Sequence, residues 1–377
     1  MRKVLLTATV LSHIAQFHNP LIKMLQENGD EVHVAAKNNL SEKNGLKLDT
    51  PDRIFDIPFD RSPLSKNNLI AYKELKRIIN ENQYDIVHCN TPMGGIVTRL
   101  ATKGLRKYGT KVIYTAHGFH FYKGAPLKNW IMFYPIEKNM ASITDDLITI
   151  TTEDNTLANH KKFRTNVHHV HGVGVNSKRY RVMESEEYNL LRQKYNCENM
   201  FVILCTGELN LNKNQSTIIK AMPDVLKKYP NTVLYIAGNG PMKNELEHLI
   251  LSLGLKNHVE LLGYRTDLEK FVNMSDIVVS ASIREGLPLN IMEAMICGKP
   301  VVASNNRGHN ELIKEGKTGF IVSPTDSIQF ANRIIKLLDN DALRRSFGEK
   351  AIKCIKPYDV INVMEELKLI YQKYSKQ

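Results

Sequence analysis

Val202-Ile-Leu-Cys-Thr-Gly-Glu-Leu-Asn-Leu-Asn-Lys213-Asn-Gln215 joins a short apolar run to a glycine turn, and a lysine follows where the next helix begins. A short β-branched run ended by glycine reads as a strand buried on both faces, and the helical pattern after it as the crossover of a βαβ unit. The same alternation runs from end to end. In the first half it predicts strands near 4–8, 31–35, 85–89, 112–115, 147–150 and 167–170. In the second half the strands fall near 202–206, 233–237, 259–262, 277–280, 301–303 and 320–322. The fold class is α/β, with two doubly wound, Rossmann-like domains. A length of 377 residues fits this, because it exceeds the size at which one core keeps growing.

Between the halves, His171-Gly-Val-Gly-Val-Asn176 leads into a polar stretch, 177–188, that is poor in large apolar residues and reads as a hinge. The expected domains are 1–174 and 175–357, with a C-terminal helix over 358–377 crossing back to the first. That helix follows Pro357 and carries apolar residues at Val360, Val363, Met364, Leu367 and Ile370. Ligands of open α/β sheets sit outside the carboxyl ends of the strands, so two facing domains are expected to share a central cleft.

Composition narrows the class. Apolar residues make up 42% and charged residues 24%, which is ordinary for a soluble globular chain. No stretch approaches the roughly 20 apolar residues of a membrane span. Val4 to Val10 resembles a leader peptide, but His13, Gln16 and His18 interrupt it and no small-residue cleavage site follows, so it reads as a first strand. Five cysteines without a CxxC pair suit reduced thiols and a cytoplasmic location. Of the net charge of +12, residues 1–180 hold +9, so the first half is expected to face something anionic. No zinc-finger, helix-turn-helix or RNP signature accompanies the charge, so nucleic acid is not expected and an anionic membrane surface fits better. Within 128–140, Trp130-Ile-Met-Phe-Tyr134 lies among Lys123, Lys128 and Lys138, and reads either as a buried helix or as a ridge dipping into the interface.

The chemistry concentrates in Arg284-Glu-Gly-Leu-Pro-Leu-Asn-Ile-Met-Glu293. Glu285 falls in a glycine-proline turn, and Glu293 about one turn into a helix starting near Pro288. A helix N-terminus attracts phosphate while carboxylates accept hydrogen bonds from sugar hydroxyls, so the pair suits a nucleotide sugar. Lys213 can neutralise a diphosphate as a point charge, although a lone lysine is more often a solvated surface residue. In Ala237-Gly-Asn-Gly-Pro-Met, Gly238 and Gly240 would let a base or ribose approach the backbone. Lys243 stands where a dinucleotide fingerprint has its third glycine, which argues against nicotinamide and leaves a plain tight turn as the alternative. Gly263, Tyr264 and Arg265 close the third strand of this half and could hold a base through their backbone. Strand alternation sets His168 opposite His169 and His171, and Asp145-Asp146 precedes a strand, so no metal is expected.

In this order, Gly207-Glu-Leu with Lys213, Ala237-Gly-Asn-Gly-Pro241, Gly263-Tyr-Arg, the Glu285 to Glu293 segment, Ala294-Met-Ile-Cys-Gly-Lys-Pro-Val-Val302 and Gly319-Phe-Ile-Val322 resemble retaining GT-B glycosyltransferases of family 4. The likeness spans nearly all of the second domain. Tyr114-Thr-Ala-His117-Gly-Phe-His-Phe-Tyr122, Asn90-Thr-Pro and Ser304-Asn-Asn-Arg307-Gly-His resemble a subgroup that builds bacterial capsular and exopolysaccharides. The resemblance implies transfer of a hexose or N-acetylhexosamine from a nucleotide sugar, with a UDP-sugar as the expected donor, to a lipid-linked or growing glycan at the inner face of the cytoplasmic membrane, with no cofactor.

It further implies that Glu293 binds ribose, that Glu285 binds the donor sugar, and that the backbone of Gly286, Leu287, Pro288 and Leu289 holds sugar and diphosphate. Gly207 and Arg284 complete the donor set. Lys213 would stabilise the departing diphosphate and His117 would touch the donor sugar, with His13, Ser12 and Asn90 on the acceptor side. The family usually has arginine where Glu208 stands, so Lys213 is expected to be assisted by Arg284 or Arg307, with Glu208 paired to a base. A sugar-nucleotide epimerase on the same scaffold, or a basic nucleic-acid-binding protein, are the competing readings.

Overall fold

In the computed structural model, which describes residues 1–43 and 45–375, every apolar run named above is a strand. The chain divides into two compact units, Met1–Val173 together with the C-terminal helix, and Gly174–Asp359.

The first unit contains β1 (Lys3–Val10), β2 (Glu31–Lys37), β3 (Arg53–Asp56), β4 (Ile86–Asn90), β5 (Lys111–Ala116), β6 (Asp146–Thr149) and β7 (Asn166–His169). They form one parallel sheet in the order β3-β2-β1-β4-β5-β6-β7. The second unit contains β8 (Phe201–Thr206), β9 (Thr232–Ala237), β10 (Val259–Gly263), β11 (Ile277–Ser280), β12 (Val301–Ser304) and β13 (Gly319–Val322), in the order β10-β9-β8-β11-β12-β13. In each sheet the order reverses beside the first strand, at β1/β4 and at β8/β11. Helices cover both faces, which is why the strands are apolar at consecutive positions. In β8, Ile203 and Cys205 face one core while Val202 and Leu204 face the other.

The strand β3 was not expected. It pairs only with β2 at the sheet edge and is largely exposed, so it has no buried run to betray it. The cysteines are free, with only Cys354 exposed.

The C-terminal helix, Val360–Gln372, packs Val363, Leu367, Ile370 and Tyr371 into the core of the first unit. The last two residues of the expected 358–377 helix lie outside the described residues. Its fit is specified by polar contacts as well as by area. The Tyr371 hydroxyl bonds buried His88 Nδ1 at 2.6 Å, and His88 Nε2 lies 2.7 Å from Thr115 Oγ1. Burial pushes the His88 ring down to about 3, so it stays neutral. Glu366 accepts from the His171 backbone N–H and sits 2.6 Å from His171 Nδ1.

Removing the hydroxyl strands a buried ring nitrogen. Tyr371→Phe is therefore expected to lower stability by about 1–3 kcal/mol, read from the urea midpoint, with little change in the slope.

Candidate functional site

In the second unit, the loops after β8, β9 and β10 are clamped together by backbone hydrogen bonds. Gly207 N–H donates to Ala237 O at 2.9 Å, Leu209 N–H to Asn239 O at 2.9 Å, and Gly238 N–H to Gly263 O at 2.8 Å. This closeness is what demands the glycines. A Cβ on Gly238 would lie 1.9 Å from Gly207 O, and one on Gly240 would lie 2.3 Å from Leu209 O. The side-chain space at Gly238 and Gly240 is thus taken by the neighbouring loop, so the protein's own backbone requires both glycines, whatever approaches their other face.

Three asparagines brace this turn, one to the segment after β11, one to the segment after β13 and one within the turn itself. Asn212 Nδ2 donates to Arg284 O at 3.0 Å, Asn214 Nδ2 donates to Pro324 O at 2.7 Å, and Asn210 Oδ1 accepts from Lys213 N–H at 2.9 Å. Their signal in the sequence, Asn-Leu-Asn-Lys-Asn, went unused above. Lys213 is thereby laid across Gly207, and its Nζ reaches Glu285 Oε1 at 2.6 Å, both side chains being mostly buried. The sequence reading gave these residues separate duties, and without a ligand they satisfy one another.

The turn 285–288 is held from the other side by the helix Arg307–Leu312, where a Cβ on Gly308 would lie 2.5 Å from Gly286 O. Asn306 caps that helix by accepting from His309 N–H at 3.0 Å. His309 is fully buried, and loss of water pushes its ring down to about 4.

Pro288 precedes the helix Leu289–Ile296, and Glu293 lies in its second turn. Loss of water pushes the Glu293 carboxyl up to about 7, against the opposing pull of a hydrogen bond from Tyr180 and the charge of Arg179. Tyr180, buried, and Arg179, paired with Glu269 at 2.9 Å, lie in the polar stretch read as a hinge and were not foreseen as site residues. Tyr264 is half exposed. Arg265 is bound to Asp267 at 2.9 Å and packs on the Phe271 ring, so its guanidinium is already engaged. Arg284 is exposed and contributes its carbonyl to Asn212. Glu208 is exposed and accepts from Asn210 Nδ2 at 3.2 Å, where a basic partner was expected. Its charge is left to water, which removes the repulsion problem that the missing arginine raised.

In the first unit, three predicted residues meet above the β1/β4 reversal. His13 Nε2 lies 3.3 Å from His117 Nε2, which lies 3.1 Å from Asn90 Oδ1. His13 is not in a loop, because the helix Leu11–Phe17 starts directly after β1. Ser12 turns away: its hydroxyl and N–H both bond buried Asn39 at 3.0 Å, so it is a structural residue. A third ring, His18, which the sequence reading passed over, lies against both histidines. Loss of water pushes all three rings down, His117 to about 4, and mutual repulsion adds to this at His13 and His18.

Residues 188–354 match the family described as Glycosyl transferases group 1, and residues 3–152 match Glycosyl transferase 4-like. The chain is 41% identical over 375 residues to the "Putative glycosyltransferase EpsD" of Bacillus subtilis, covering 99% of this chain and 97% of the relative. It is 26% identical over 334 residues to the UDP-Gal:alpha-D-GlcNAc-diphosphoundecaprenol alpha-1,3-galactosyltransferase of Escherichia coli, covering 86% of this chain and 84% of that one. Among solved structures, Anabaena HepE in complex with UDP superposes with a TM-score of 0.78 at 22% identity, over 99% of this chain and 100% of that one.

The Glu293 carboxyl makes a pH prediction. It binds a proton in the folded chain up to about 7 but in the unfolded chain only up to about 4, so stability falls as pH rises between those values and levels off above. Glu293→Gln should remove that slope, stabilising the ligand-free protein by on the order of 1 kcal/mol at pH 8 and by little at pH 4, as measured by urea unfolding.

Proposed function

The chain belongs to the group 1 glycosyltransferases, and we propose that it transfers a hexose or N-acetylhexosamine from a UDP-sugar, with retention, to a lipid-linked or growing glycan in bacterial surface polysaccharide synthesis. The observation that carries this reading is the Lys213–Glu285 pair beside the helix carrying Glu293. A diphosphate takes the lysine, the freed Glu285 accepts a sugar hydroxyl, and Glu293 accepts from the ribose once Tyr180 yields or shares the carboxylate. Each group keeps a polar partner through the exchange, so donor binding avoids most of the cost of leaving a buried ion without a hydrogen bond. The UDP complex of HepE and the UDP-Gal donor named for the E. coli relative support UDP, and that relative's diphosphoundecaprenol acceptor supports a lipid-linked glycan.

Retention needs no nucleophile from the protein. The leaving phosphate accepts the proton of the incoming hydroxyl on the face it departs from, so the protein's part is to position the groups and neutralise the developing charge. Lys213 supplies the positive charge, and the N-terminus of the helix Leu289–Ile296 adds its partial charge. In the first unit His117 is assigned to the substrates, with Asn90 holding its ring.

An anionic membrane surface is the proposed working place. In the helix Leu127–Ala141, Trp130, Phe133 and Tyr134 pack inward, and Glu137 is locked to buried Arg99 at 3.0 Å. That leaves Leu127, Ile131, Met132 and Ile136 outward, 73%, 69%, 54% and 39% exposed, next to Lys123, Lys128 and Lys138. An apolar face with basic flanks suits the headgroup boundary of an anionic leaflet.

Thermal-shift titration with UDP-, GDP- and ADP-sugars should give a response to a UDP-sugar, and silence toward all of them would sink the reading. Lys213→Ala should lower kcat by about 10²- to 10³-fold, whereas Glu293→Ala should act mainly on donor binding. A UDP-sugar converted to its epimer without acceptor would replace transfer by epimerisation. Vesicles rich in phosphatidylglycerol should retain the protein at low salt, and the double change Ile131→Ser with Met132→Ser should weaken retention about tenfold or more.

A further inference from the structure

We propose that His13, His18 and His117 form a binding site for a zinc-class divalent cation within the first unit. One ligand nitrogen from each ring lies within 4.8 Å of the other two. Two of these nitrogens, His13 Nε2 and His117 Nε2, are 3.3 Å apart. The edge between ligands of a tetrahedral zinc site with Zn–N of about 2.0–2.1 Å is about 3.3–3.4 Å, so that pair already has the required bite. His18 supplies an independent observation. His18 is only 5% exposed, and its Nε2 is buried without a hydrogen-bond partner among the described residues. A buried polar atom without a partner costs about 1–3 kcal/mol, and a metal bond is one way to satisfy a lone pair that no donor reaches.

The surroundings suit such an ion. The His18 ring lies 5.2 Å from that of His13 and 5.7 Å from that of His117, centroid to centroid, so all three rings border one small space. Asn90 Oδ1, 3.1 Å from His117 Nε2, adds an oxygen at the edge of the set. Asn90 is fully buried, which leaves little freedom in where that oxygen points. The scaffold is built from secondary structure: His13 lies in the helix Leu11–Phe17 directly after β1, His18 is the turn residue between it and the helix Asn19–Glu27, Asn90 ends β4 and His117 follows β5. Three imidazoles without a carboxylate favour zinc, cobalt or nickel, and disfavour magnesium and calcium, which seek oxygen. Occupancy takes the Nε2 lone pair of His117, so the cation and any other use of that nitrogen exclude each other.

Binding is measured on the full-length, chelator-stripped protein without sugar nucleotide, so the outcome is independent of the transfer reading. Calorimetric titration with ZnCl2 should show one ion per chain. Co2+ should give the visible d–d bands of a four- or five-coordinate nitrogen site, and millimolar Mg2+ should not displace Zn2+. His18→Gln and His13→Gln should each weaken zinc binding by on the order of 100-fold and abolish the cobalt bands, while His168→Gln, on the sheet edge beside Asp146, should leave both intact. If His18→Gln does not fold by circular dichroism, His13→Gln, at a less buried position, carries the test. Absence of stoichiometric binding by the stripped wild type, displacement by Mg2+, or binding unchanged in the folded variants overturns the proposal.

Discussion

The reversal of strand order in each sheet is the constraint from which the candidate sites follow. From β8 the chain crosses to β9 on one side, and the chain returns to β11 on the other, so the loops at the strand ends diverge and leave a crevice. In the second unit, backbone-to-backbone bonds close the β9 and β10 side of that crevice at distances no side chain could survive at Gly238 or Gly240. On the β11 side, the turn 285–288 is pressed from behind by Gly308. Rigid walls of this kind fix where a carboxylate or ammonium points, and that is what a positioning enzyme needs. The first unit repeats the arrangement at β1/β4, with histidines where the second carries Lys213 and Glu285.

A second theme is that the less exposed charged groups of the proposed donor site already have internal partners. Lys213 holds Glu285, Tyr180 holds Glu293, and Arg265 holds Asp267. In partly dehydrated surroundings an unpaired charge is costly, so a ligand-free site persists only if its charges are mutually satisfied. Exchange of partners is then the physical content of binding. The Glu293 carboxyl is pushed up because loss of water outweighs the hydrogen bond of Tyr180 and the charge of Arg179. Glu208 marks the contrast, because out in solvent it needs no partner.

Periodicity and punctuation made the fold legible, with strand limits read to within a residue or two. What escaped was β3, whose edge position leaves it without a buried face. The Glu285 to Glu293 segment and Lys213 stood out because glycine, proline and charge combine there at close spacing. Tyr180 did not, because a tyrosine in a polar stretch carries no local mark of the helix it will meet more than a hundred residues later. Ser12 misled for the converse reason: a hydroxyl beside a candidate histidine looks available until Asn39 arrives from another strand's loop.

The sequence by itself determined two doubly wound domains, the break near Gly174 and the segments that carry charge to the strand ends, since each is written in local patterns of apolarity, glycine and charge. Only tertiary structure decided that Lys213 grips Glu285, that Gly238 and Gly240 are demanded by the protein's own backbone, and that His18 joins His13 and His117. Those outcomes depend on distances between loops remote along the chain, set by strand order and crossover packing, and no short stretch of residues encodes such a distance.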